Sequence, residues 1–145
     1  MTISFVIPGP PQGKARPRVI RTKSGKSMSY TPDKTVAYEE LVRQRYMAAV
    51  DGIAVEGAAA LIVTIIAYYP VPSSASKRRR ADMLAGYERP TKKPDCDNIA
   101  KIICDALNGI AYRDDAQIVE ARVSKRYTDG LGETWVRVGT VPRGN

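Results

Sequence analysis

The chain has 145 residues, of which 43% are hydrophobic, and this size fits a single compact domain, residues 1–145, with a core large enough to fold unaided. It contains no histidine, which excludes histidine-dependent triads and nucleases and the commonest zinc ligand. Hydrolytic chemistry would therefore use carboxylates, lysine, tyrosine and metal-bound water, and a formal net charge of +8 favours anionic partners.

The first thirty residues predict a strand, a loop and a hairpin. Residues 2–7 have the apolar alternation of a strand, and the Pro/Gly-rich residues 8–17 are expected to form one ordered loop. Residues 18–30 predict a hairpin that turns at Ser24-Gly25.

A helix is predicted next. Thr31 followed by Pro32 provides an N-cap and a first helical residue for a helix that ends at about Val50. Its inner face is expected to carry Val36, Leu41, Val42 and Tyr46.

The middle of the chain predicts a buried strand and a short basic helix. Residues 58–69 are rich in β-branched side chains, and Pro70 and Pro72 end the strand. A helix is expected from Ser74 to about Leu84. The apolar run at 58–67 is too short to span a membrane.

A second amphipathic helix is predicted from about Asp95 to Leu107, ended by Asn108-Gly109. Its polar face would carry Asp97, Lys101 and Asp105. The apolar stripe would consist of Ile99, Ile102, Ile103, Ala106 and Leu107.

Two further strands are expected at residues 117–127 and 133–141, joined by a turn at residues 128–130 and antiparallel. Trp135 is expected in the core, and Tyr112 is read as a partly buried loop aromatic, with stacking on an unpaired base as the alternative. Together the elements predict an α/β or α+β fold built on one mixed β-sheet packed with helices.

The two cysteines, Cys96 and Cys104, lie on the same predicted helix. A rise of ~1.5 Å per residue separates their Cα atoms by about 12 Å, beyond disulfide reach. Free thiols, together with a start that lacks the features of a signal peptide, predict a soluble cytoplasmic protein.

Residues 94–120 concentrate negative charge within this basic chain, with only Lys101 and Arg113 as local cations. Mutual repulsion would destabilise any arrangement that gathers several carboxylates, unless a divalent cation neutralises them. Hard oxygen ligands suit Mg²⁺ or Mn²⁺, and these ions commonly share their coordination with substrate phosphate. A phosphate ester is therefore the leading substrate class. The carboxylates are Asp95, Asp97, Asp105, Asp114, Asp115 and Glu120.

Chain dimensions allow these carboxylates to share one site. The helix from Asp97 to Asn108 covers about 17 Å, and the extended return to Asp115 can span ~20 Å. Asp115 can therefore come back beside Asp97. Asp95 and Asp97 also lie at the positive end of the helix dipole, which favours their ionised forms.

Each of these residues also has a purely structural interpretation. Asp is a preferred N-cap, which would explain either Asp95 or Asp97 but not both. Asp114 and Asp115 could form a polar turn, and Lys101 could pair with an aspartate one helical turn away, which would contribute only ~0.3 kcal/mol. The combination, more than any single residue, indicates a site.

Positive charge is concentrated in two stretches that flank the acidic one. Residues 1–26 contain six Lys/Arg and no acid, and residues 77–93 contain seven Lys/Arg beside Asp82 and Glu88. This distribution favours a nucleic-acid surface over an ordinary solvated one. The candidate contacts are Lys14, Arg16, Arg18, Lys77, Arg78, Arg79, Arg80, Lys92 and Lys93.

The acidic segment contains three motifs in a fixed order: D-x-D-N-x-x-K at residues 95–101, D-A-L-N-G at residues 105–109 and D-D-A-Q-[IV]-V-E at residues 114–120. With the I-P-G-P-P sequence near the N-terminus, this order resembles the RusA family of Holliday-junction resolvases. The resemblance implies a RusA-like fold and a homodimeric, Mg²⁺-dependent endonuclease, with Mn²⁺ as a possible substitute. Its expected action is to resolve four-way DNA junctions by paired nicks in recombination and repair.

The resemblance also implies roles for individual residues. The metal ligands would be Asp95, Asp97 and Asp115, with Lys101 as the active-site lysine, while Asp114 fills a matching position without a clear role. Two alternatives stay open at this point. The chain could be an Mg²⁺-dependent nuclease for another branched or duplex nucleic acid, or a DNA-binding protein without catalytic activity.

Overall fold

A computed structural model describes residues 2–50 and 57–142 of the chain. A mixed sheet, a separate two-stranded ribbon and helices confirm the predicted α+β class. None of the helices in these two ranges has the length and apolar character needed to cross a bilayer. The strands are β1 (Thr2–Pro8), β2 (Arg18–Arg21), β3 (Ser27–Tyr30), β4 (Leu61–Pro70), β5 (Ile118–Thr128) and β6 (Glu133–Thr140); the helices are α1 (Asp33–Val50), α2 (Lys77–Ala85) and α3 (Cys96–Leu107), with a 3₁₀ turn at Asp115–Gln117.

The main sheet has the strand order β1-β6-β4-β5. Strand β4 runs antiparallel to β6 and parallel to β5, whereas β1 is antiparallel to β6. The two C-terminal strands therefore exist and run in opposite directions as predicted, but they do not pair with each other. Strand β4 occupies the place between them, which the local turn signal at residues 128–130 cannot reveal.

One face of the sheet forms the core together with α1 and α3. Alternate residues of β1, β4 and β6 point to this face, as the period of a strand requires, and pack against the apolar stripes of the helices. The most deeply buried side chains include Ile7, Val42, Leu61, Val63, Ile65, Ile102, Ile103 and Leu107.

Two core predictions are wrong. Val36 is 50% exposed, because it lies six residues before Val42 and thus about 120° around the helix from the buried stripe. Trp135 is 49% exposed, because it points to the opposite face of the sheet from Val136 and there packs edge-on against Tyr68. Tyr112 follows α3 as a loop aromatic, as predicted, but it is buried more deeply than the partial burial expected, with 3% of its surface exposed.

Candidate active site

Helix α3 forms one wall of the candidate site. Its apolar stripe is buried as predicted, and this burial fixes the rotation of the helix about its axis. Asp97, Lys101 and Asp105 consequently lie on a more exposed face, one helical turn apart. The helix ends where predicted, with Gly109 in the left-handed conformation at φ 80°.

The chain returns from α3 to the site through a well-anchored turn. The Tyr112 hydroxyl is buried and donates a hydrogen bond to the Cys104 carbonyl oxygen. Gln117 accepts hydrogen bonds from the backbone N–H groups of Arg113 at 2.9 Å and Asp114 at 3.2 Å. Its amide nitrogen also donates to the carbonyl oxygens of residues 57 and 59, at 3.1 and 3.0 Å. Gln117 thereby ties the turn to the segment that leads into β4.

This return places Asp115 in the same surface depression as Asp97 and Lys101, as chain length allowed. We call this the acidic depression; its volume is about 410 Å³. Asp105 also lines this depression. The sequence predicted its position on the polar face of α3 but no role for it. The lining residues are Asp97, Ala100, Lys101, Cys104, Asp105, Asp115 and Ile118.

Asp95 occupies a different position. It is the N-cap residue of α3, but its side chain makes no capping hydrogen bond, so capping does not account for its carboxylate. Asp95 instead lines a neighbouring cleft of about 880 Å³. The structure thus brings together Asp97, Lys101 and Asp115 and places Asp95 beside them, on the cleft side of the α3 N-terminus.

A structural role accounts for Asp114 but not for Lys101. The Asp114 carboxylate accepts a hydrogen bond from the Ala116 N–H at 2.9 Å and caps the 3₁₀ turn, so a turn role explains this residue. Within the described ranges, Lys101 has no ion pair with Asp97 or Asp105. Lys101 is an exposed residue that lines the acidic depression, and it does not form the helical pairing considered above.

Negative charge is crowded in the return turn. The hydrogen bond from the Ala116 N–H, supplemented by one shared with Asp115, lowers the pKa of Asp114. The hydrogen bond with Asp114, with partial desolvation and the charges of Asp114 and Asp105, raises the pKa of Asp115. A cation bound beside Asp115 would relieve this repulsion.

The donors of the acidic depression suit a hard divalent cation. No group of three or more His, Cys, Asp or Glu side chains within residues 2–50 and 57–142 forms a ready-made metal site. Mg²⁺, however, commonly binds through one or two protein carboxylates and keeps several waters. Asp97 and Asp115, both exposed in one open depression, supply that number of carboxylates.

The neighbouring cleft is lined by basic residues from three separate segments, and we call it the basic cleft. Lys34 is the one among them that the sequence did not single out, because it lies alone at the start of α1, outside any run of charge. The basic residues are Lys14, Arg16, Arg18, Lys34 and Lys93.

Close contact between the N-terminal loop and α3 shapes this cleft. A Cβ atom at Gly13 would lie 2.9 Å from Pro94 Cβ and 3.1 Å from Asn98 Cβ, so only glycine fits without movement. The next residue, Lys14, donates its backbone N–H to the Asn98 carbonyl oxygen at 3.2 Å. The loop is thus fixed against the first turn of α3.

Lys14 differs from the other basic residues of the cleft. Its Nζ atom lies 2.8 Å from Glu39 Oε1 and 3.4 Å from Asp105 Oδ2. Burial disfavours the charge, but the hydrogen bonds and charges of the two carboxylates outweigh it and raise the pKa of Lys14. Lys14 therefore links the loop to α1 and α3 through internal ion pairs.

The remaining predicted DNA contacts lie outside the basic cleft. Lys77, Arg78, Arg79 and Arg80 form the first turn of α2, where Arg79 pairs with Glu88 at 3.1 Å. The ammonium of Lys92 lies over the Tyr69 ring, 5.8 Å from its centroid.

Residues 8–139 match the family model described as endodeoxyribonuclease RusA. The chain belongs to the RusA endodeoxyribonuclease family. A curated relative, "Uncharacterized protein YqaN" of Bacillus subtilis (strain 168), is 33% identical over 129 residues, which cover 88% of this chain and 89% of the relative. Family membership confirms the resemblance drawn from the acidic motifs and indicates endodeoxyribonuclease activity. The acidic depression and the basic cleft both lie within the matched residues of this RusA-family protein.

Proposed function

We propose that this chain is a divalent-metal-dependent endonuclease that resolves four-way DNA junctions by paired symmetric nicks in recombination and repair. The observation that carries the proposal is the acidic depression with Asp97, Lys101 and Asp115, directly beside a cleft lined with Lys and Arg. A protein that only bound DNA would need the cleft but would have no use for carboxylates gathered next to it.

Asp97 and Asp115 would hold Mg²⁺, or Mn²⁺ as a substitute, and Asp95 stays a predicted third ligand from the cleft side. Bound there, the metal supplies charge neutralisation at the scissile phosphate and acidifies the attacking water. The anchored return turn keeps Asp115 at the depression, because Gln117 ties that turn to the start of β4.

Lys101 would stabilise negative charge on the phosphate during hydrolysis. This residue is exposed, lines the acidic depression and is held in no ion pair within the described parts of the chain. A positioned cation of this kind acts on charge that develops in the transition state. Lys101→Met should therefore slow single-turnover cleavage at saturating protein, with DNA binding retained.

The basic cleft would bind the phosphates on either side of the cut. Arg16→Ala should weaken binding to every DNA tested and reduce the slope of log K against log salt by about one. Lys14→Met should change that slope less, because the Lys14 ammonium is already paired with Glu39 and Asp105. Equal slope changes in the two variants would contradict this division of roles.

A homodimer would suit this substrate. A four-way junction has approximate two-fold symmetry, so a two-fold dimer presents two equivalent sites to two equivalent strands. Sedimentation of the free protein and of its junction complex measures this directly. A monomer that nicks both strands with full activity would contradict the dimer.

The deciding experiment compares a labelled four-way junction with a linear duplex of the same sequence, in Mg²⁺ or EDTA. We expect symmetric, Mg²⁺-dependent nicks in the junction alone, reduced by about 10²-fold or more in Asp97→Asn and Asp115→Asn. Equal cleavage of the duplex would indicate a less selective nuclease. Tight junction binding without cleavage in any divalent metal would indicate a DNA-binding protein instead.

Two further variants test which carboxylates hold the metal. Asp95 lines the basic cleft, whereas Asp105 lines the acidic depression but is paired with Lys14. If Asp95 is a ligand, Asp95→Asn raises the Mg²⁺ concentration for half-maximal cleavage and Asp105→Asn leaves it nearly unchanged. If Asp105→Asn raises this Mg²⁺ concentration and Asp95→Asn leaves it nearly unchanged, Asp105 is the third ligand.

A further inference from the structure

The β2–β3 ribbon stands apart from the rest of the fold. Its strands pair only with each other, in the register Arg18↔Tyr30 to Arg21↔Ser27, and neither joins another strand in the described residues. All eight of its strand residues are exposed. An isolated two-stranded hairpin is only marginally stable in water, so a partner that packs on its exposed face would stabilise it.

One face of this ribbon is apolar. Directly opposed residues of an antiparallel pair point to the same side, so Ile20, Met28 and Tyr30 share a face with Arg18. Their exposed fractions are 47% for Ile20, 55% for Met28 and 43% for Tyr30. This is a contiguous apolar surface on an element that contributes nothing to the core.

The charge of the ribbon favours a polyanion as its partner. Residues 18–30 contain Arg18, Arg21, Lys23 and Lys26 and no acidic residue. A second copy of this chain would bring an equally basic ribbon and a net charge of +8, which opposes self-association at this face. Nucleic acid offers both the phosphates and, where it is unstacked, apolar base surfaces.

The ribbon is also continuous with the basic cleft. Arg18 begins β2 and at the same time lines the cleft that contains Asp95. A DNA strand bound along the cleft would therefore continue towards the ribbon. The apolar face of the ribbon would then lie near the DNA, on the side of the cleft formed by the N-terminal loop.

We propose that the β2–β3 ribbon is a second DNA-binding element, which packs Ile20, Met28 and Tyr30 against bases left unstacked at the branch point. Its arginines and lysines bind the phosphates that flank those bases. Apolar side chains inserted at base steps and base–aromatic stacking both contribute free energy to protein–DNA complexes. The inference rests on the proposed function, because a continuous duplex has no unstacked bases for this face.

The test uses a four-way junction with 2-aminopurine at the branch point, whose fluorescence rises when the base unstacks. Ca²⁺ replaces Mg²⁺ so that binding can be measured without cleavage. The test variant is Ile20→Ser/Met28→Ser, and the matched control is Leu131→Ser, which changes an 87% exposed side chain in the β5–β6 loop. Thermal unfolding checks that both variants keep the fold, as is expected for exposed positions.

We expect the wild type and Leu131→Ser to raise the fluorescence equally. Ile20→Ser/Met28→Ser should lose most of this rise and bind the junction about 10-fold more weakly, with duplex affinity unchanged. A charge variant, Arg21→Ala/Lys23→Ala, should instead weaken junction binding and duplex binding alike. It should also reduce the slope of log K against log salt by about two.

Three results would overturn the inference. If Ile20→Ser/Met28→Ser matches the wild type in fluorescence and junction affinity while junction cleavage is normal, the ribbon role fails and the proposed function stands. If the wild type neither prefers nor cuts the junction, both fail. If the double variant converts a dimer to a monomer in sedimentation, the apolar face binds a second copy of the chain instead of DNA.

Discussion

Lys14 in the N-terminal loop donates a 2.8 Å hydrogen bond to the carboxylate of Glu39 on the buried face of α1. The same ammonium lies 3.4 Å from Asp105 at the acidic depression. The Lys14 side chain thus connects the N-terminal loop to both α1 and α3 through partly buried ion pairs. A lysine that looked like a DNA contact in the sequence is therefore also a structural tie behind the candidate site.

The first prediction concerns the stability that this tie provides. Lys14→Met leaves the Glu39 carboxylate buried without its partner, which should lower the free energy of unfolding by about 1–3 kcal/mol. Urea denaturation measures the change. Lys34→Met, at an exposed lysine outside any described ion pair, is the control and should change stability by less than about 0.5 kcal/mol. Additive effects of Lys14→Met and Glu39→Gln in a double-mutant cycle would contradict direct coupling.

The second prediction concerns the contact between the loop and α3 at Gly13. Gly13→Ala places a methyl group 2.9 Å from Pro94 Cβ, so the loop must move away from α3. Overpacking of this kind costs about 1–3 kcal/mol, and DNA cleavage should fall because the basic cleft changes shape. Gly130→Ala is the matched control, since its nearest contact would be an ordinary 3.7 Å. Equal melting temperatures and cleavage rates for the two variants would exclude this tight contact.

The third prediction concerns Gln117 as a positioning residue for Asp115. Gln117→Glu keeps an oxygen for the N–H groups of Arg113 and Asp114 but loses the donor to the carbonyl oxygens of residues 57 and 59. The carbonyl group of residue 57 is exposed and that of residue 59 is partly buried, so the loss of each hydrogen bond costs about 0.5–1.5 kcal/mol of stability. We expect a higher Mg²⁺ requirement for cleavage, because Asp115 is less firmly held.

The control for this third prediction is Gln44→Ala, at an exposed glutamine of α1. Both the urea midpoint and the Mg²⁺ concentration for half-maximal cleavage should stay at wild-type values in this control. A Gln117→Glu protein that is destabilised but keeps the wild-type Mg²⁺ requirement would show that Gln117 supports only the fold.

The fourth prediction uses the two free thiols. Cys96 is exposed between Asp95 and Asp97, whereas Cys104 is largely buried in α3. Burial raises the pKa of the Cys104 thiol from 9.0 to about 11, which lowers its thiolate fraction at neutral pH by about a hundredfold. A maleimide should therefore label Cys96 first, and the Cys96→Ser protein should react slowly.

Labelling of Cys96 also reports on the candidate site. A bulky group attached between Asp95 and Asp97 should abolish cleavage, and bound junction DNA should slow the labelling. The Cys104→Ser protein is the control and should label like the wild type. Full cleavage activity after complete labelling at Cys96 would exclude the α3 N-terminus from the active site.

The acidic depression was the most predictable part of the structure. The apolar stripe of α3, with Ile99 and Ile102 among its members, fixes which way the helix faces, and the position of Lys101 follows from that rotation. Chain length then allowed Asp115 to return to the depression. Local pattern and simple dimensions were sufficient here, because the residues involved are close in sequence.

Long-range relationships could not be predicted in the same way. The pairing of Lys14 with Glu39 joins residues 25 positions apart, and each looks like an ordinary surface charge in the sequence. Likewise, no local signal shows that β4 separates β5 from β6. Asp95 precedes the first helical residue of α3, so the helical repeat does not determine on which side of α3 it lies. That side depends on the course of the preceding chain.

The place of β1 in the sheet also sets the order in which the protein can be completed during synthesis. Among the described strands, β1 hydrogen bonds only to β6, so residues 2–8 have no strand partner until residues 133–140 leave the ribosome. Pulsed proteolysis of stalled ribosome-bound chains would detect this late step. A translation product that ends shortly before β6 would therefore contain every residue of the acidic depression and yet leave β1 without its strand partner.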